Sequence, residues 1–174
     1  MIISVATNNQ LPIIRDLAFK IWPVAYDEIL SNEQLNYMLD LIYSIESLEK
    51  QVEKSHVFLL VKENNNYIGF ASYELNYKEK NEIPVEKKLN LNKTKIQKLY
   101  VLPEIQRKGI GKHLINYIKQ IAIANDNSVL ILNVNRFNKA KDFYIKQGFT
   151  IVSKVKIDIG NNYIMDDYVM ELTL

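Results

Sequence analysis

The chain has 174 residues, 48% of them hydrophobic, which is enough for one domain with a sizeable core and too few for two comfortable ones. Its 22 basic and 20 acidic residues leave a net charge of +2, too small a bias to point to nucleic acid or a membrane surface, and the absence of cysteine excludes disulfides, thiolate metal sites and a cysteine acyl-enzyme. With neither an N-terminal signal core nor an apolar run of membrane-spanning length, a cytoplasmic location without a membrane partner is expected.

Ile2–Val5 predicts a first strand. Ile13, Ile14, Leu17, Ala18 and Ile21 then recur at helical spacing, with Pro12 tolerated in the first turn. The aromatic and acidic segment 22–30 reads as a connection between helices that could line a pocket for a cationic amine. Packing of Trp22 and Tyr26 onto the core is an equally simple reading. Ser31-x-x-Gln34 is a capping-box pattern ahead of Leu35, Met38, Leu39 and Ile42, so a second helix should begin near Asn32. Residues 47–54 either prolong it or form a further helical turn. The β-rich runs 56–62 and 67–75 are joined by Asn64, Asn65 and Asn66, and asparagine tolerates the left-handed backbone a tight antiparallel hairpin needs. The polar stretch 76–93, with Pro84 in its middle, reads as a solvated loop of the kind that borders functional sites.

The next strand, 96–101, ends before Pro103 and leads into a basic, glycine-punctuated loop of Gln106, Arg107, Lys108, Gly109, Ile110, Gly111 and Lys112. A helix with Ile110, Leu114, Ile115, Ile118, Ile121 and Ala122 on one stripe follows it. The loop therefore opens onto a helix N-terminus, where backbone N–H groups lack intrahelical partners and the dipole favours negative charge. Two glycines let that backbone approach phosphate oxygens, so a pyrophosphate-bearing ligand is expected. The spacing is not that of a P-loop, because Gln106 and His113 stand where glycine and serine or threonine are required. A dinucleotide fingerprint fails too, with Leu114 at its third glycine. His56 and His113 show no metal-ligand spacing, and no metal is expected.

A buried strand is predicted over 129–134, and a short helix over 138–149 with Asn138 as N-cap and Gly148 just past its end. The runs 150–158 and 163–172 flank Gly160, Asn161 and Asn162, so the described pattern closes on a β-hairpin.

Gln106, Gly109 and Gly111 after a strand ending Tyr100-Val101, followed by Asn138, Ala140, Phe143, Tyr144, Gly148 and Phe149, resemble two motifs of the GCN5-related N-acetyltransferases. The resemblance covers nearly the whole chain. It implies one acetyltransferase domain over 1–174 with the α/β acyl-CoA N-acyltransferase fold: a mixed, mostly antiparallel sheet flanked by helices, whose central parallel strands, here 95–101 and 129–134, splay apart. It implies acetyl-CoA as co-substrate, with the loop 106–112 on the pyrophosphate and Leu99, Tyr100, Val101, Asn133, Asn138 and Tyr144 along the pantetheine arm. Backbone groups left unpaired by the splay at Leu99, Tyr100 and Val101 would hold that arm like an added strand. An N–H near Val101 would stabilise the oxyanion, and Tyr144 would protonate the departing thiolate. Relatives carry a glutamate base two residues before the apolar pair of the first splayed strand. Gln97 occupies that place, and an amide is no base. Glu28, Glu33 and Asp40 are substitutes, none of them assigned.

Direct transfer to a primary amine is expected, the acceptor being a small polyamine-like or amino-acid-like molecule or a peptide. Gly111-Lys112-His113-Leu114 is part of a layout that is more similar to bacterial polyamine acetyltransferases than to ribosomal-protein ones. Two other readings stand beside this one: a non-catalytic acetyl-CoA-binding regulatory module, consistent with Gln97, and a nucleic-acid contact through the lysine-rich segment 78–95, to which composition gives little weight. A homodimer through the final hairpin is left open.

Overall fold

The computed structural model describes residues 1–78 and 92–174, so most of the polar 76–93 segment lies outside the described residues. In chain order the elements are β1 (Ile2–Val5), α1 (Leu11–Tyr26), α2 (Asn32–Tyr43), α3 (Ile45–Glu53), β2 (Val57–Glu63), β3 (Asn66–Glu74), β4 (Lys93–Val101), α4 (Ile110–Ala124), β5 (Val129–Asn135), α5 (Ala140–Lys146), β6 (Thr150–Asp158) and β7 (Ile164–Thr173). The strands make one sheet in the order β1-β2-β3-β4-β5-β7-β6. Only β4 and β5 run parallel, so the mixed, mostly antiparallel sheet expected from the sequence is present.

α1 extends further than its sequence indicates. The segment expected to connect two helices from residue 22 is helical as far as Tyr26, with Pro23 inside it. Pro23 removes one backbone donor, a loss that ordinarily ends a helix. Here Trp22, 3% exposed, packs its ring 4.7 Å from Tyr26, 5.3 Å from Tyr43 and 5.8 Å from Tyr100. That aromatic cluster holds the last turn against the sheet. Ser31 caps α2 by accepting from the Gln34 N–H at 3.2 Å. Ser44, with ψ 149, then breaks the chain out of α2 and caps a separate α3 by accepting from the Ser47 N–H at 3.3 Å.

Asn64 and Asn65 have φ of 46° and 66°, the left-handed pair that closes the β2–β3 hairpin. Between β3 and β4 the register shifts: Ser72 faces Lys98 and Tyr73 faces Ile96, leaving Gln97 as a bulge. The extra residue changes the alternation, so that Ile96 and Leu99 both turn to the same core. The sheet separates two cores. One, under α4 and α5, contains Leu59, Ile96, Val101, Leu114 and Leu132; the other, under α1 to α3, contains Ile14, Trp22, Tyr43, Phe58 and Phe70. Among the described residues, no helix is long and apolar enough to cross a membrane.

Candidate active site

β4 and β5 pair only from Lys93↔Val129 to Ile96↔Leu132, and then diverge. On the other side β4 stays paired to β3 through Val101. The Leu102 N–H donates to the Ile68 carbonyl at 3.0 Å, which makes Gly69↔Val101 a non-hydrogen-bonded pair of the antiparallel ladder. Val101 therefore turns its N–H and C=O toward the gap, and so does Leu99 two residues earlier. Tyr100 departs from expectation: alternation makes it a hydrogen-bonded partner of Phe70, so its backbone groups serve the β3 ladder rather than the gap. What remains is an edge of extended backbone able to accept an amide-bearing ligand as a partial strand.

The loop after β4 is fixed from within. Gln106 Nε2 donates to the Val101 carbonyl at 3.1 Å, Arg107 takes φ 66°, and Gly109, with φ 81°, is the N-cap of α4. Ile110 is 5% exposed and anchors the turn in the core. The His113 N–H already bonds the Gly109 carbonyl at 3.0 Å, which leaves the N–H groups of Ile110, Gly111 and Lys112 without intrahelical partners at the positive end of a 15-residue helix. Arg107, Lys108 and Lys112 are exposed around them. This cradle fits a pyrophosphate in both backbone geometry and charge. Gly111 has a further constraint, since a Cβ there would lie 3.0 Å from Phe143 Cζ, so α4 and α5 meet closely at this point.

α5 begins at Ala140 rather than immediately after Asn138, yet the Asn138 Oδ1 still accepts from the Ala140 N–H at 2.8 Å. The helix ends in a Schellman motif: Phe149 N–H to Tyr144 C=O at 3.1 Å, Gly148 N–H to Ile145 C=O at 2.9 Å, and Gly148 at φ 94°. The accompanying contact is between the Tyr144 and Phe149 rings, 5.7 Å apart. Tyr144 is buried, and burial raises its phenol well above the ordinary value, with the nearby Tyr26 adding to the effect. The phenol is therefore neutral at any physiological pH. The Tyr26 and Tyr100 hydroxyls lie 3.0 Å apart, both raised by burial. Tyr144 belongs to the core under α4 and Tyr100 to the opposite core.

On the α1–α3 side, Gln97 Nε2 donates to Glu74 Oε2 at 3.0 Å and supplies no base. Glu28, Glu33 and Asp40 are all exposed, and Glu28 is in an ion pair with Lys139 at 2.8 Å. Glu28 and Lys139 border a cavity of about 190 Å³ between the end of α1 and the connection from β5 to α5, together with Asp27, Phe137 and Asn138. Lys98 is 9% exposed, donates to Gln51 Oε1, and lies 5.5 Å from the Phe58 ring; burial lowers its pKa to about 7. His56, 3.7 Å from Glu74, is held neutral, its pKa lowered to about 4 by burial and then by Lys98. One buried carboxylate had no place in the sequence reading. Asp167 on β7 is 2% exposed, its Oδ1 has no hydrogen-bond partner, and burial followed by the charge of Asp166 raises its pKa to about 6. The available signal was strand parity, since Met165, Asp167 and Val169 alternate on one face of β7 and two of the three are apolar.

The sequence pattern of the Acetyltransferase (GNAT) family matches residues 11–149. A curated relative, spermidine N(1)-acetyltransferase of Thermoplasma acidophilum, is 28% identical over 164 residues, covering 91% of each chain. Among solved structures, the PaiA N-acetyltransferase of Thermoplasma acidophilum in complex with coenzyme A superposes with a TM-score of 0.77 at 24% identity, covering 100% of both chains. A GCN5-related N-acetyltransferase from Rhodopseudomonas palustris gives a TM-score of 0.78 at 16% identity, covering 99% of this chain and 95% of its own. With a splayed parallel pair, a glycine loop at the head of α4 and a family match across most of its length, the chain belongs to the GNAT family and is an acetyl-CoA-dependent N-acetyltransferase.

Proposed function

We propose that the protein transfers acetyl from acetyl-CoA directly to a primary amine of polyamine type. The observation that carries the acceptor class is the 28% identity, over 91% of each chain, to a spermidine N(1)-acetyltransferase. Asp27 and Glu28 at the mouth of the cavity beside α1 agree with a cationic acceptor. The absence of cysteine favours direct transfer over a cysteine acyl-enzyme.

In this reading Ile110, Gly111 and Lys112 donate backbone N–H groups to the pyrophosphate, with Gln106 holding the loop and Arg107 and Lys108 adding charge. Leu99 and Val101 bind the pantetheine amides, and Asn133 and Asn138 border the arm. The Val101 N–H donates to the thioester oxygen as negative charge gathers there, a contribution of about 3 kcal/mol. Tyr144 gives its proton to the sulfur as it leaves.

The test is a panel of spermidine, spermine, amino acids and short peptides, with release of free thiol as readout. Polyamines are expected to show the highest kcat/KM. A preference for peptide N-termini overturns the acceptor class, and acetyl-CoA binding without thiol release on any amine overturns the transfer.

A further inference from the structure

We propose that Asp167 is the proton acceptor of the reaction: its free carboxylate oxygen takes a proton from the acceptor's ammonium group at the gap between β4 and β5. The inference rests on the acetyl-transfer reading above and supplies a group that this reading lacks. A primary ammonium has a pKa of about 10 in water and cannot attack a thioester until it loses a proton. Gln97 cannot take that proton, and Glu28, Glu33 and Asp40 stand in solvent.

β7 lies beside β5, with Asp167 opposite Asn135 and Val169 opposite Asn133. Val134, between those two asparagines, belongs to the core under α4, so Asn133, Asn135 and Asp167 turn to the α1 face. There the carboxylate senses Tyr26, which bonds Tyr100 on the far side of the gap. Register carries the same conclusion along the strands. β5 separates from β4 just after Leu132, and Asn135 is three residues beyond that point, in the diverging part.

The charged surroundings leave the carboxylate without a direct partner. Its neighbour on β7, Asp166, is paired to Arg136 at 2.8 Å; Lys95 on β4 acts only through its field and bonds Tyr77; and Asn133 on β5 and Val155, opposite on β6, bring no charge. Leaving a buried acceptor unmatched costs on the order of 1–3 kcal/mol, and more for an ion. An ammonium N–H would satisfy it. With a pKa near 6, Asp167 is still ionised at neutral pH and is a stronger base than an ordinary carboxylate.

The chemistry balances. One ammonium N–H bond breaks as an O–H bond forms on Asp167. The amine nitrogen then bonds the acetyl carbon, the C–S bond breaks, and the nitrogen's surplus proton is matched by the one Tyr144 gives to sulfur and later recovers. Asp167 returns its proton to solvent, so each turnover of an ammonium releases one proton, one thiol and one amide.

The deciding variant is Asp167→Asn, which keeps the shape and removes the negative charge. At neutral pH its kcat/KM should fall about 10²-fold or more, with acetyl-CoA affinity by calorimetry unchanged. The wild-type fall in kcat/KM as pH drops through about 6 should be absent from it. Formate should restore part of the turnover of Asp167→Ala, which a purely structural role would not produce. Asp167→Asn activity within about threefold of wild type, with the acidic limb retained, overturns this inference alone. A wild type that binds acetyl-CoA but acetylates no amine overturns the proposed function and this inference with it.

Discussion

Gly69 on β3 faces Val101 across the ladder, and a methyl group there tests the active-site edge through its neighbour. A Cβ at Gly69 would lie 2.6 Å from the Tyr100 carbonyl oxygen and 3.2 Å from Val101 Cα. Both are backbone atoms, so no side chain can swing aside. Reaching an ordinary 3.4 Å contact requires the Tyr100–Val101 peptide to retreat from β3 by about 0.8 Å at the Tyr100 carbonyl oxygen and by about 0.2 Å at Val101 Cα. Overpacking of this kind costs about 1–3 kcal/mol. For a chain of this length each kcal/mol lowers Tm by about 2–4 °C, so Gly69→Ala should melt roughly 2–12 °C below wild type. The same displacement moves the Val101 N–H away from the thioester oxygen, and a shift approaching 1 Å can lower the rate by about 10²-fold. Calorimetric melting and thiol-release kinetics measure the two effects. A Gly69→Ala protein with wild-type Tm and wild-type kcat would refute both the close approach and the assignment of Val101.

Gly109→Glu should abolish acetyl-CoA binding in calorimetry, because it places negative charge and bulk at the anion cradle and strains a residue at φ 81°. Tyr144→Phe should retain acetyl-CoA affinity and lower kcat by about 10²-fold; equal turnover would remove the acid role from Tyr144. Lys98→Met should stabilise the fold near neutral pH. The folded pKa of Lys98, about 7, lies below its unfolded value, so between about 7 and 10 the unfolded state binds the extra proton and stability rises with pH by up to about 1.4 kcal/mol per unit. The wild type should gain on Lys98→Met across that window in chemical denaturation, and a constant difference would contradict the burial of this charge.

The local signals in the sequence are strong where the backbone has few choices. The glycine loop, the asparagine turns and the Gly148 helix stop each need left-handed residues that few side chains allow, and all three are where the residues indicate. The connection expected from residue 22 is instead helical as far as Tyr26, because the ring packing of Trp22 with residues 43 and 100, which are distant in sequence, outweighs the local loss of one helical hydrogen bond at Pro23. The bulge at Gln97 is invisible for a similar reason: it exists only as a register between two strands. Tyr100 fails as a backbone ligand through that same alternation, since which residues face the gap depends on pairing with β3. Asp167 was missed because an acidic residue in a strand is ordinarily solvated, whereas here it is 2% exposed.

The two cores divided by the sheet have a consequence for how such a protein can diverge. The coenzyme cradle and Tyr144 are rooted under α4 and α5, while Trp22, Tyr26, Tyr43 and Lys98 are rooted on the opposite side under α1 to α3. Substitutions more than about 7–10 Å apart and without shared partners act additively. On the proposed reading, descendants can therefore remodel the amine-facing wall, one helix at a time, while inheriting an unaltered grip on coenzyme A. The few residues of β4 between the bulge at Gln97 and Val101 are the shared hinge where a change of taste in acceptor would also be felt by the donor.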